Sequence, residues 1–324
     1  MERNWERARE FIELPTSAIE QRVRAAFADA RLKAARQLGA GLRNTNYRLE
    51  IEGGPSPLVL RLYVADAEAC ARETAVLRAM GARGGGVPVP RVLHADPAAD
   101  PPFALLEWLE GVPLDEVLRG ADADTALRIA AVCGTALAAI HETRFPAPGF
   151  LGPEMRVVRP MAAWGPTVLS TLEGSVEERL GAELSARVRR TVVSNARAVE
   201  TVWSEAVLVH ADFKPWNLLV QPEAAGSSAP ARWRLSGVLD WEFTCAGCKL
   251  IDFATFLRDE ARLAPGYDDA FVDAYRSAGG ILPADWRRLT RLVDLLNLMQ
   301  MLTWSGEQAT ADMRLLASQT LDAV

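Results

Sequence analysis

The residues best able to do chemistry together are His210-Ala211-Asp212-Phe213-Lys214-Pro215-Trp216-Asn217. They run between two short apolar segments, Val207-Leu208-Val209 and Leu218-Leu219-Val220, and Pro215 keeps them out of a helix interior. Such a loop can aim an aspartate, a lysine two residues on and an asparagine five residues on into one cleft. Those groups are a proton acceptor, a cation and a neutral oxygen ligand. Phosphoryl transfer asks for this set: the attacking hydroxyl must lose its proton, the transferred group carries charge, and magnesium takes oxygen ligands. Val238-Leu239-Asp240-Trp241-Glu242 ends an apolar strand in a carboxylate, which makes Asp240 the main metal-ligand candidate. Asp252, set in Leu250-Ile251-Asp252-Phe253-Ala254, needs hydrogen-bond partners if buried and reads as a brace for the catalytic loop. Singly, these residues are also an ordinary loop cap, turn asparagine and strand-end aspartate; it is their joint spacing that favours the chemical reading.

The flanking periodicity says what must position them. The first thirty residues read as a helical extension, with Ser17-Ala18-Ile19-Glu20 shaped like a capping box. A strand then enters Leu38-Gly39-Ala40-Gly41, a polar turn Arg43-Asn44-Thr45 follows, and strands run over Asn46 to Glu52 and Leu58 to Val64. A helix from about Asp66 to Met80 leads through Gly84-Gly85-Gly86, Pro88 and Pro90 to strand candidates Arg91 to His94 and Phe103 to Leu109. The reading is α+β: residues 1–32 an extension, 33–110 a five-stranded antiparallel sheet with one helix, 111–324 a mainly helical unit. Residues 124–143 and 253–324 have helical spacing, and strand character returns between 207 and 240, broken by the soft loop Gln221 to Ala231.

At 324 residues the chain suits two lobes around a cleft better than one core. Its 49% apolar, 24% charged and 7% aromatic residues exclude a mostly disordered, collagen-like or disulfide-scaffold protein. A net charge of −6 with scattered basic residues argues against nucleic-acid binding and for small-molecule partners. The longest run free of charge and histidine, Pro160 to Leu172, is too short for a bilayer span, and the N-terminus has no secretory pattern. No membrane partner and a cytoplasmic location are therefore expected. Cys245 and Cys248 form a CxxC spacing with no second ligand pair, so neither structural zinc nor redox use is expected. His94 and His141 read as packing or surface residues. Trp216, Trp241, Trp286 and Trp304 suit a core as well as an acceptor pocket.

The loop HADFKPWN is similar to the HxDxxxxN loop of the aminoglycoside phosphotransferase family, relatives of the protein kinases that phosphorylate small-molecule hydroxyls. The resemblance runs over about residues 35 to 320 and implies a protein-kinase-like two-lobe fold. Carried over residue by residue, it implies that Asp212 is the catalytic aspartate, Lys214 a phosphate contact and His210 scaffold. Asn217 and Asp240 would bind Mg2+, with Asp240 matching the DFG aspartate of protein kinases. Gly39 and Gly41 resemble the nucleotide-covering loop. Arg61 stands where protein kinases carry a strand lysine, paired here with Glu73; arginine's planar fork is a different phosphate donor. The adenine of ATP, or the base of GTP, would lie between Val59 and Leu219 and bond the backbone of Glu107 to Leu109.

The resemblance thus implies a Mg2+-dependent kinase for a small-molecule hydroxyl acceptor. Two rivals are a nucleotide-binding module without transfer activity, motivated by Arg61, and a metal-dependent phosphohydrolase. A polycationic acceptor would need convergent carboxylates. Residues 151 to 209 carry seven acidic and seven basic side chains, and residues 253 to 324 carry ten and seven. Antibiotic resistance does not follow from that balance, and a metabolic alcohol such as homoserine, choline, a sugar or a fructosamine stays open by resemblance. Asp259, Glu260, Glu307 and Asp312 suit a solvated helix face better than a cationic-acceptor site.

Overall fold

The computed structural model describes residues 11–39, 43–84, 86–223, 232–258 and 264–324. Strands β1 (Arg31–Leu38), β2 (Thr45–Glu52), β3 (Leu58–Leu62), β4 (Val92–Asp96) and β5 (Phe103–Glu107) form one antiparallel sheet in the order β1-β2-β3-β5-β4. Strand alternation divides its faces. Tyr47, Leu49 and Ile51 of β2, with Leu58, Leu60 and Leu62 of β3, pack against Ile19 and Val23 of helix α1 (Thr16–Ala26). Val59 and Arg61 therefore point to the other face, the side of Ala104 and Leu106, where helix α2 (Ala67–Arg83) packs through Cys70, Val76 and Leu77. Asp66 caps α2, its side chain accepting from the Glu68 N–H at 2.9 Å.

The capping box expected at Ser17 is not formed. Pro15 occupies the N-cap with no side-chain bond, so Ser17 lies inside the first turn, and Glu20 pairs with Arg24 at 3.4 Å. Proline's fixed φ suits helix entry without a capping hydroxyl. Phe27 to Ala30 are likewise not helical, and residues 1–10 lie outside the described residues.

Beyond β5 the chain is mainly helical. Two small sheets interrupt it: β6 (Val112–Pro113), β10 (Leu218–Pro222) and β11 (Trp233–Val238) in the order β11-β10-β6, and β7 (Gly149–Leu151), β8 (Val157–Pro160), β9 (Val207–Val209) and β12 (Cys245–Gly247) in the order β8-β7-β12-β9. The helices are α3 (Leu114–Leu118), α4 (Ala123–His141), α5 (Trp164–Thr171), α6 (Ser175–Leu180), α7 (Ala182–Trp203), α8 (Leu250–Leu257), α9 (Tyr267–Ser277), α10 (Trp286–Leu302) and α11 (Glu307–Asp322). Against the expectation of no bilayer-spanning segment, among the described residues α4 is long and apolar enough to cross a membrane by length and composition alone, and half of that apolar window is buried inside the protein.

Helices α4 and α9 approach closely because residue 134 is glycine. A methyl group at Gly134 would overlap the Phe271 carbonyl and lie 3.1 Å from the Tyr275 nitrogen. That contact sets the spacing between His141, at the end of α4, and Tyr275.

Candidate active site

Asp252 is fully buried in the first turns of α8, and its carboxylate is saturated by the loop it faces. Oδ2 accepts from the His210 N–H at 2.9 Å, and Oδ1 accepts from the Ala211 N–H at 2.7 Å. His141 Nε2 lies 3.0 Å from Oδ2, and His141 Nδ1 lies 3.0 Å from the Tyr275 hydroxyl. A run of buried polar groups thus joins α9, α4 and α8 to the loop. It holds Ala211 at φ 65°, a left-handed conformation costly for a residue with a Cβ. Asp252→Ala is expected to cost about 3–5 kcal/mol of stability, because three donors lose their acceptor where water does not reach. Urea unfolding followed by circular dichroism checks this, and a loss under about 1 kcal/mol would show those bonds to be idle.

His210 is fully buried and ties the two functional segments together. Its Nε2 lies 2.9 Å from the Leu239 carbonyl, and its Nδ1 accepts from the Asp212 N–H at 3.2 Å, so a ring protonated at Nε2 satisfies both bonds. Pairing of β10 with β11 does the rest. Leu218 faces Val238, and the Leu239 N–H donates to the Asn217 carbonyl at 2.8 Å, so Asn217 and Asp240 stand at the same end of the strand pair.

Asp212 accepts on both oxygens: the Asn217 amide reaches Oδ2 at 2.8 Å, and the Lys214 ammonium reaches Oδ1 at 2.6 Å. Asn217 Nδ2 also donates to the Asp212 carbonyl at 3.0 Å, so its Oδ1 is the atom that could serve as a ligand. Lys214 lies 5.2 Å from the Trp216 ring centroid. Asp240 adopts φ 65°, and its carboxylate pairs with Arg61 from β3. Arg61 also lies 2.9 Å from Glu73 Oε2, and Glu73 Oε1 accepts from the Trp241 N–H at 3.0 Å. Burial works against the Arg61 charge, yet Asp240 and Glu73 outweigh it and hold its pKa above the ordinary range. Burial raises the Glu73 carboxyl against the pull of Arg61, and pushes Glu242 up to about 7 with Asp240 adding to it.

These donors suit magnesium. One half-buried strand-end carboxylate and one amide oxygen are a typical protein contribution, because Mg2+ keeps waters and takes phosphate oxygens for the rest. Among the described residues no group of three or more His, Cys, Asp or Glu side chains forms a metal cage of its own. The four cysteines are free and buried.

The remaining expected residues fall into two sets. Leu109 and Leu219 meet over Gly237, where a Cβ would lie 3.0 and 3.1 Å from their methyl carbons. Val59 shares a sheet face with Arg61. The Glu107 N–H is spent on the Arg91 carbonyl at 2.9 Å, so a ligand bond at Glu107 has only its carbonyl to use. A Cβ at Gly39 would meet nothing within 4 Å, while Gly41 lies outside the described residues, as do Asp259 and Glu260. Glu307 is exposed and Asp312 half-buried. Trp241 and Trp286 are core residues, whereas Trp304 is 41% exposed. His141, read from sequence as packing or surface, is buried against Tyr275 and also belongs to the brace; its place on the buried face of α4, near the end, was the available signal.

Known proteins resemble this chain in sequence and in fold. A curated relative, the probable acyl-CoA dehydrogenase IBR3 of Arabidopsis thaliana, is 30% identical over 237 residues, 67% of this chain and 27% of that protein. The chain therefore spans about a quarter of that relative's length. Among solved structures, the aminoglycoside phosphotransferase APH(4)-Ia superposes with a TM-score of 0.67 at 18% identity, covering 95% of this chain and 99% of that one. The streptomycin–ATP–APH(2")-IIa ternary complex gives 0.62 at 14% identity, covering 95% and 97%. These likenesses establish an α+β fold of the aminoglycoside phosphotransferase, protein-kinase-like kind. A model of the phosphotransferase enzyme family matches residues 34–292, which take in all of the five-stranded sheet but the start of β1, the Asp212 loop and Asp240, and the chain belongs to that family.

Proposed function

We propose that the protein is a small-molecule kinase that transfers the γ-phosphoryl group of ATP or GTP to a hydroxyl, with Mg2+ held by Asn217 and Asp240. The observation that carries this reading is the meeting of Asp212, Asn217 and Asp240 at one end of the β10–β11 pair. The acceptor oxygen attacks the γ-phosphorus, the bond to the β,γ-bridging oxygen breaks, the nucleoside diphosphate leaves, and the hydroxyl proton passes to Asp212. Lys214 and Arg61 offset phosphate charge. Asn217 and Asp240 would hold the metal, whose charge would help offset that of the phosphates.

In this reading the fold works as two lobes. Residues 33–110 cover the nucleotide and residues 111–324 carry the loop and the acceptor helices, with 1–32 as an extension. The base lies between Val59 and Leu219, bonding the Glu107 carbonyl and the backbone as far as Leu109.

The test is nucleoside diphosphate formation that depends on an added acceptor, across alcohol-bearing metabolites and aminoglycosides. The acyl-CoA dehydrogenase relative adds hydroxyacyl-CoA thioesters to that panel. Phosphate release that ignores every acceptor would instead favour a phosphohydrolase, and nucleotide binding with no turnover a binding module.

A further inference from the structure

Glu242 is a carboxylate with 3% exposure, two residues past Asp240, and none of the chemistry above uses it. Burying a charge costs several kcal/mol unless its bonds are made. Its bonds reach across the molecule. Oε2 accepts from the Asn44 side-chain amide at 3.0 Å, a contact between residues 198 apart in sequence. The guanidinium groups of Arg43 and Arg61 stand further off from Oε1, at 3.8 and 3.9 Å. The short bond therefore goes to a neutral amide, although two cations are near. Charge balance alone would have drawn a guanidinium in.

Asn44 is 4% exposed and immediately precedes β2. Its own Oδ1 accepts from the Val64 N–H at 3.3 Å, just past β3. The Glu242 carbonyl is gripped separately by Arg72 of α2, at 3.0 and 2.8 Å, and Arg72 is anchored on Asp66 at 2.7 Å. Two parts of the five-stranded sheet unit thus hold the residue two positions past Asp240.

We propose that Glu242 is a positioning residue that pins Asn44, at the entry to β2, and so presets how the five-stranded sheet stands against the Asp240 strand end; this rests on the kinase reading given above. Without the pin, nucleotide binding must itself fix that placement. The effect falls on nucleotide affinity.

Calorimetric titration of the full chain with Mg–ATP and Mg–GTP tests this. Glu242→Ala and Asn44→Ala are each expected to weaken nucleotide binding by about tenfold, and the double variant by no more than either alone, as for one coupled pair. Glu242→Gln, whose amide oxygen still accepts from Asn44, retains most of the affinity. Asn44→Ala leaves every charge in place and carries the test if Glu242→Ala fails to fold. Undiminished affinity in Asn44→Ala overturns the proposal. So does a changed Mg2+ requirement in Glu242→Ala that Asn44→Ala does not share, which would make Glu242 a metal ligand. Failure of the unaltered protein to bind either nucleotide overturns the kinase reading itself, a result separate from undiminished binding by the variants.

Discussion

Asp212→Asn is expected to lower turnover by about 10²–10⁴-fold while Mg–nucleotide affinity stays within about twofold. The substitution keeps the side chain's shape and removes its ability to take a proton. It also changes the hydrogen-bond balance around the loop. The aspartate accepts from both Lys214 and Asn217, and asparagine offers one acceptor for those two donors, so a small stability loss accompanies the kinetic one. Comparing single-turnover rates with nucleotide titrations separates the two effects. Near-normal turnover would remove Asp212 from proton transfer, and a fall in rate matched by a fall in affinity would make it a binding residue.

Asp240→Ala acts on the other half of the site. Losing the carboxylate is expected to weaken Mg–nucleotide binding and cut turnover by about 10²–10³-fold, the scale of several kcal/mol of charge stabilisation. Arg61 keeps its contact with Glu73, so the fold should survive the loss of its second partner. The check is the dependence of nucleotide binding on Mg2+ concentration, in the variant and in the unaltered protein. If the two curves coincide, Asp240 is no ligand and the reading of the strand end falls.

Sequence patterns were most informative where local. Strand β2 alternates with period two, strong turn formers such as Gly53-Gly54-Pro55 bound the runs, and the five-stranded sheet forms. The expected order of Arg61 on a strand and Glu73 on the next helix also appears as a contact at 2.9 Å. What pattern reading missed was either very short or very long-range. Strands β6, β7, β8 and β12 have two to four residues each, too few to show any period. The brace joins His141 to Asp252 and Tyr275 across 111 and 134 residues, and nothing local to a histidine on a helix announces such partners. Glu242 was legible as part of a strand-end motif, but its bond to Asn44 was not. The capping box at Ser17 failed for the opposite reason: its spacing was right, but proline two residues earlier had already begun the helix.

Gly134 has a consequence for catalysis that its distance from any nucleotide conceals. Its single hydrogen gauges how far the α9 backbone stands from α4, and the Tyr275–His141 bond spans the same gap. Widening that gap by one carbon would strain the tyrosine's hold on the imidazole, then the imidazole's on Asp252, and last the backbone amides that bring Asp212 to its post. Sequence change at this interior spot should thus trace as loss of rate as well as loss of heat resistance.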